Sequence, residues 1–406
     1  MPSLTRRALL SKLAFAAPSA AESEDHTLVC VFLRGGADTL NLWVPYADDR
    51  YYRLRPSLAI KAPGTAKDAA IKLNDRYAMH PEMQPLEAAF KEGRLGVVQS
   101  VGVDNSSGSH FDCQDQMEHG DSASGLPAGG GWLGRFLRLT AGDNPSPLSA
   151  VAIGTALPES LRGAPSASVL EKIADIAIKA PSSNPSDVVR ALQAMYGAES
   201  TLLGERGRQT IELAQRLSAI QADDRGPENG ANYPTEPFGQ GLREIGRLIK
   251  ARLGLRIACI DLGGWDTHFF QGNSSGQHAA SIKILANALA AFEADLKAHQ
   301  SRYTLIVTTE FGRRVYENAS LGTDHGRGFA FMAMGSRVNG GQILGSWPIS
   351  ADNDDVNVNT PGPGGLVMET DYRHVFAEVL RGSIGLTDGV AAKLFPGLER
   401  HRVGLM

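Results

Sequence analysis

Apolar residues in this chain fall into two rhythms. Short continuous apolar runs that end in glycine or a polar cluster alternate with longer stretches of helical spacing. The first pattern belongs to strands buried on both faces, the second to helices that pack by one face. Thr27–Leu33 (TLVCVFL) predicts a buried strand closed by Arg34-Gly35-Gly36. Glu82–Lys91 predicts a helix with Gly93 as its cap, and Leu95–Val101 a second strand. Strand, helix, strand in that order implies a βαβ unit and a parallel sheet. Leu148–Ile153 predicts a short strand, and Asp187–Tyr196 and Ser200–Ile220 two helices of a mainly helical insertion over about 181–237. The theme then returns: helix Phe238–Ala251, strand Arg256–Asp261, helix Ala279–His299, strand Tyr303–Thr309, short strands at Gly328–Met334 and Gln342–Leu344, and a closing helix Tyr372–Leu380. Gly120–Gly131 and Asp352–Gly365 predict loops, the first rich in small residues and the second acidic and then Pro/Gly-rich. The fold class expected is α/β, a mostly parallel central sheet flanked by helices, with a helical insertion.

The N-terminus departs from this pattern. Thr5-Arg6-Arg7 precedes a short apolar stretch, Ala8–Ala17, interrupted by Lys12 and followed by Ser19-Ala20-Ala21. A basic start, a short apolar segment and a small-residue cleavage site describe a signal peptide, and paired arginines ahead of a weak apolar region make it twin-arginine-like. The other reading is an amphipathic N-terminal helix. The expected organisation is residues 1–21 as signal peptide and 22–406 as one α/β domain, delivered to the periplasm or the exterior by twin-arginine export machinery. Removing three cations from a net charge of −4 leaves −7 on the mature chain. No later segment offers the roughly 18 apolar residues of a membrane span, and no basic stripe offers phosphate contacts to nucleic acid. Cys30, Cys113 and Cys259 match no metal or redox spacing, and an odd count leaves one unpaired.

In an open α/β sheet, ligands bind beyond the carboxyl ends of the strands. Each major strand here delivers polar residues to that rim. Arg34, Asp38 and Asn41 follow the first; Asp104, Ser109, His110 and Asp112 the second; Asp266 and His268 the strand Arg256–Asp261; Glu310, Arg313, Asp324 and His325 the strand Tyr303–Thr309. In Gly263-Gly264-Trp265-Asp266-Thr267-His268 the glycines permit a sharp turn, and extended backbone points residues two apart to one side. Asp266 and His268 can then reach one ion, and carboxylate with imidazole suits zinc, manganese or iron. The alternative is a loop in which Asp266 caps a turn. Asp324-His325 supplies a second such pair, with Glu310 only 14 positions upstream of Asp324. Arg313 and Arg314 either clamp an anion by bidentate hydrogen bonds or pair with Glu317. Ser109 either attacks phosphorus or sulfur, with His110 beside it, or caps the helix that begins near Asp112. Gly272–Gly276 matches G-x-S-x-G formally but follows a polar loop, whereas a nucleophile elbow follows a buried strand.

Taken together, LRGGADTLN, MHPEMQPL, SHFDCQDQME, GGWDTH, TTEFGRR, GTDHGRG and TDYRHVF, in order from about residue 27 to 385, resemble the exported proteins known as domain of unknown function 1501. That resemblance implies kinship with the alkaline phosphatase and sulfatase superfamily, hence an alkaline-phosphatase-like fold, one or two divalent metals and a Ser, Thr or modified Cys nucleophile. It implies that Asp266 and His268 are a ligand pair, that His325 is the late histidine ligand, and that Ser109 lies near the nucleophile position. Two departures accompany it. Phe311 stands where relatives place a histidine, and the first strand ends in Arg34-Gly35-Gly36 rather than in an aspartate, leaving Asp38 as substitute. One metal, or none, is implied.

Two functions follow. One is a metal-dependent hydrolase of an anionic phosphate or sulfate ester, small or polymeric, with Ser109, His110 and Arg313 as catalytic groups and Asp38, Asp266, His268, Glu310, Asp324 and His325 as metal ligands. The other is a non-catalytic exported protein that uses the same fold to bind or scaffold a glycan, a polymer or another secreted protein.

Overall fold

The computed structural model describes residues 26–105, 107–122, 129–142, 146, 148–176, 185–222, 226–346 and 365–406. The expected signal peptide lies outside them, as do half of the loop expected at 120–131 and all but residue 365 of the loop expected at 352–365. Among the described residues a nine-stranded sheet forms the centre. In chain order its strands are β1 Thr27–Leu33, β2 Leu95–Gly102, β3 Ala150–Ile153, β4 Ser168–Leu170, β5 Ile257–Leu262, β6 Tyr303–Thr309, β7 Phe329–Met334, β8 Ile343–Leu344 and β9 Thr370–Asp371. Their order across the sheet is β8-β2-β7-β6-β1-β5-β3-β4, with β9 beside the end of β2. β1 pairs in parallel with both β5 and β6. β7 is antiparallel to β2 and β6, so β2 again runs with β1. The carboxyl ends of β1, β2, β5 and β6 therefore lie along one edge.

The strands at the centre alternate between two apolar layers, as a period of two requires. Val29, Val31 and Leu33 of β1 face one layer, which holds Ile245 and Leu248 of one helix (Pro237–Ala251) and Leu285, Leu289 and Phe292 of another (Gln277–Asp295). Leu28 faces the opposite layer with Phe136 of a third helix (Trp132–Leu139) and Val375, Phe376 and Leu380 of a fourth (Tyr372–Ile384). Each such fully buried side chain contributes about 1.5–3 kcal/mol before entropy is counted. Two further helices, Pro185–Gly197 and Leu202–Ala222, pack on each other, and Leu213 and Leu217 of the second join the first layer.

Two helices differ from their sequence reading. Glu82–Lys91 is a 3-10 turn over Pro81–Leu86 followed by a short α-helix, Glu87–Lys91, because Pro85 has no N–H for an α-helical bond. The helix expected to reach His299 ends at Asp295, and His299 is non-helical (φ −122°) within the 3-10 segment Lys297–Arg302.

Candidate metal centre at the strand ends

β5 ends at Leu262 and the chain turns through Gly263-Gly264, with Gly264 at φ +90°. Beyond the turn the backbone alternates as extended chain does. Trp265 and Thr267 are buried, whereas Asp266 and His268 point outward. Gly35 and Gly36, after β1, make room for this loop. A Cβ on Gly35 (φ +120°) would lie 2.6 Å from the Asp266 nitrogen, and one on Gly36 (φ +64°) 2.3 Å from the Phe311 ring. After β6, the loop returns on itself. Arg314 N–H donates to Asp324 O (2.9 Å) and Gly326 N–H to Gly312 O (2.8 Å), which brings His325 back over the strand end. β2 leads to Ser109, the N-cap of α1, the helix His110–His119, and so delivers His110 to the same edge.

The three imidazoles share one hydrogen-bonding scheme. His110 Nδ1 lies 2.7 Å from Glu310 Oε1, His268 Nδ1 2.9 Å from Asp324 Oδ1, and His325 Nδ1 2.8 Å from the Gly108 carbonyl. Carboxylates and carbonyls only accept, so each Nδ1 carries the proton and a neutral ring keeps its lone pair on Nε2. All three Nε2 atoms converge on Asp266 Oδ1, at 3.5 Å for His110, 3.0 Å for His268 and 3.3 Å for His325. His268 Nε2 and His325 Nε2 stand 2.9 Å apart. Ligand atoms of His110, Asp266 and His325 all lie within 4.8 Å of one another, and His110 Nε2 is buried without a hydrogen-bond partner among the described residues. Tetrahedral Zn–N bonds of 2.0–2.1 Å separate neighbouring ligand nitrogens by about 3.3 Å. His110, Asp266 and His325 form a donor set that suits a divalent cation, two imidazole nitrogens and a carboxylate, each imidazole oriented by an oxygen acceptor behind it, and His268 Nε2 adjoins Asp266 and His325.

Several residues expected at the rim have other roles. Glu310 is buried, and its carboxylate accepts from His110, from Gln114 Nε2 (2.8 Å), from Gly35 N–H (2.9 Å) and from Thr309 Oγ1 (3.0 Å). It orients His110 instead of facing an ion. Asp324 likewise supports His268, with Asn318 Nδ2 at 3.0 Å from the same oxygen. Asp38 lies outside the cluster. It is fully buried, paired with Arg55 at 2.6 and 3.0 Å, and it accepts from Gln271 at 2.6 Å. The guanidinium of Arg313 is buried too. It donates to Gly35 O, to Gly36 O (2.5 Å), Thr323 O (2.8 Å) and Trp265 O (3.3 Å), and to Asp266 Oδ1 (2.6 Å). That commitment corrects its expected role as an anion clamp, since its donors stitch three loops together and aim Asp266. Phe311 packs beneath the imidazoles, its ring 4.9 Å from His110 and 4.6 Å from His325. Ser109 Oγ accepts weakly from Asp112 N–H at 3.4 Å.

Sequence reading placed His110 with the catalytic groups, and the fold brings its Nε2 to the same carboxylate oxygen as those of His268 and His325. It missed Gln114, Asn318 and the Gly108 carbonyl. His110 and Gln114 are one helical turn apart and both bind Glu310, a spacing legible in the sequence. Nothing in the sequence marks the Gly108 carbonyl.

Electrostatics follow the same geometry. Burial opposes ionisation of Asp266, but the Arg313 hydrogen bond and charge, with His268 beside it, hold the carboxyl down to about 2. Burial likewise opposes the charge on Glu310 and Asp324, and hydrogen bonds from His110 and His268 respectively keep both ionised below the usual range. The Glu310 hydrogen bond raises His110, whereas burial lowers His325. At neutral pH the site presents three carboxylates behind and within a ring of imidazoles, a field that attracts a cation.

No functionally curated protein matches the chain in sequence. Solved structures similar to it include the zinc complex of the C-terminal periplasmic domain of EcEptC from Escherichia coli, at 11% identity and a TM-score of 0.35, covering 79% of this chain and 77% of that one. Others are the alkaline phosphatase of the Antarctic bacterium TAB5 (9% identity, TM-score 0.29, 76% and 91% covered) and BT1596, a 2-O GAG sulfatase (10% identity, TM-score 0.28, 79% and 66% covered). The family described as "Protein of unknown function (DUF1501)" matches residues 25–394, and the chain belongs to it.

Proposed function

We propose that this protein is an exported, metal-dependent hydrolase of phosphate or sulfate esters, with His110, Asp266, His268 and His325 as ligands of one divalent ion. The observation that carries the reading is the convergence of three Nε2 atoms, each backed by an oxygen acceptor at Nδ1, on one carboxylate oxygen. A divalent ion bound there supplies a Lewis acid for the ester oxygen and lowers the pKa of an attacking group. Ser109 supplies the attacking hydroxyl. It sits between Gly108, which holds His325, and His110. Glu310 and Asp324 hold the tautomers of His110 and His268, and Arg313 fixes Asp266. Export rests on Arg6-Arg7 and the short apolar stretch after them. The test is elemental analysis of protein purified without chelator, followed by assay on aryl phosphates and aryl sulfates. One bound ion per chain and chelator-sensitive hydrolysis are expected; neither metal nor hydrolysis would overturn the proposal.

A second reading, a non-catalytic exported binding protein, draws on two contacts. The Arg313 guanidinium already supplies a cation to Asp266 Oδ1 at 2.6 Å, and the Ser109 hydroxyl already caps a helix. Under that reading His268→Ala and His325→Ala change neither metal content nor hydrolysis while the protein stays folded.

A further inference from the structure

Large apolar side chains are exposed on the segments that carry the imidazoles. Phe111 is 85% exposed, Phe269 67%, Phe270 74% and Leu321 43%. They include every exposed phenylalanine among the described residues, and Phe269, Phe270 and Leu321 lie on two loops that hydrogen-bond to each other, which sets these three apart from apolar residues scattered singly over a surface. Each belongs to a segment that builds the site. Phe111 follows His110 in the first turn of α1. The Phe269 ring centroid is 6.4 Å from that of His268. Phe270 N–H donates to Ser320 O (3.0 Å) and Gln271 N–H to Leu321 O (2.9 Å), which joins the His268 loop to the loop that leads into Asp324.

Backbone conformation separates these residues from a folding role. Phe270 (φ 45°) and Leu321 (φ 58°) both occupy the left-handed region, which costs free energy for any residue with a Cβ and least for glycine or asparagine. A bulky apolar side chain held there and turned to solvent gains nothing from burial. Strain of this kind concentrates where a site needs a side chain aimed at a ligand. The residue types also choose between ligands. Tyrosine and tryptophan add a polar handle that suits sugars and wet surfaces, whereas phenylalanine and leucine offer none.

We propose that the site selects esters whose alcohol part is apolar, an aryl group or one of like hydrophobicity, seated on Phe269 and Phe270 while the anionic head meets the imidazole cluster. This rests on the ester-hydrolase reading above and adds the class of leaving group.

Titration of the metal-loaded protein with inorganic phosphate and with 2-naphthyl phosphate tests it. The naphthyl ester should bind at least about tenfold more tightly than phosphate, a margin of about 1.4 kcal/mol. In the double variant Phe269→Ala/Phe270→Ala that margin should fall to within about threefold, with phosphate affinity unchanged. Phe270→Gly should weaken the naphthyl ester and raise the thermal midpoint, because it removes strain and a ligand contact together. A naphthyl preference that is absent, or that survives in the variants, overturns the substrate class and leaves the metal-site reading standing. Loss of all metal-dependent phosphate binding overturns both. Sedimentation gives a separate outcome: a dimer, or binding to phosphatidylcholine vesicles, that the double variant abolishes without change in naphthyl binding assigns the patch to a second copy or a lipid surface and overturns the proposal.

Discussion

His268 and His325 meet through their Nε2 atoms at 2.9 Å, although each has its Nδ1 committed to an oxygen acceptor. Two lone pairs cannot face each other at that distance without a cation between them. The contact is satisfied by a shared proton, which makes the pair monocationic, or by a metal ion. The two differ in what removing one ring does. His325→Ala should lower metal content at least tenfold under limiting metal, by competition dialysis followed by elemental analysis, with the fold intact by circular dichroism. Unchanged metal content assigns the contact to a proton.

Glu310 holds His110 and would act at one remove from an ion bound to that ring. Glu310→Gln keeps the shape and an acceptor for Gly35 N–H but removes the charge that orients His110. Groups in this position typically carry 10–100-fold in metal affinity. A loss within that range with little change in thermal midpoint is expected; no loss of affinity assigns Glu310 to loop closure alone.

Arg313 should behave as a structural hub. Arg313→Ala leaves the Gly35, Gly36 and Thr323 carbonyls and the Asp266 carboxylate short of a donor in a largely buried setting. About 3–5 kcal/mol of stability should be lost, read by urea unfolding. Arg313→Lys should recover less than half, since a point ammonium cannot serve a fork of carbonyls. Loss of activity with full stability would return Arg313 to the anion-clamping role.

Stability should fall in mild acid. Burial pushes His80 down to about 4 and His278 down to about 3, from an ordinary 6.5. Both rings are neutral when folded and take up protons on unfolding below pH 6.5. Their contribution is complete above that value and falls as pH drops toward 4, by about 1.4 kcal/mol per pH unit for each ring. His110 is raised, so its contribution is lost only above pH 6.5 and does not overlap this window. Chemical denaturation of metal-free protein from pH 7 to 4.5 measures the slope, and a flat profile contradicts the assignment.

Much of this architecture is legible in the sequence. Thr27–Leu33 and Tyr303–Thr309 have the bounds that their apolar runs predict, because a strand buried on both faces writes itself as an uninterrupted stretch. The parallel edge followed from strand–helix alternation, and with it the meeting of Asp266, His268 and His325. What stayed hidden depends on facing partners. Glu310 and Asp38 are acidic residues near a strand end like Asp266, yet His110 and Gln114 surround one and Arg55 the other. Those neighbours come from segments far away in the chain, which no local pattern encodes. β7 reversed its direction for a similar reason, since an apolar run carries no mark of its polarity.

The amide of Gly35 and the carboxylate of Glu310 are 275 positions apart, and Glu310 reaches back 200 positions to His110. Loops of that span close at an entropic cost that only completed contacts repay. The centre therefore needs both ends of the chain in place, and no fragment that omits the first strand or the last hundred residues carries it. An ion captured by these side chains lowers the free energy of the finished protein alone, in proportion to RT ln(1 + [ion]/Kd). Ion uptake would then double as a readout of complete folding: chains stalled on the way should lack the ion, and chelation should speed unfolding of the loaded native protein alone.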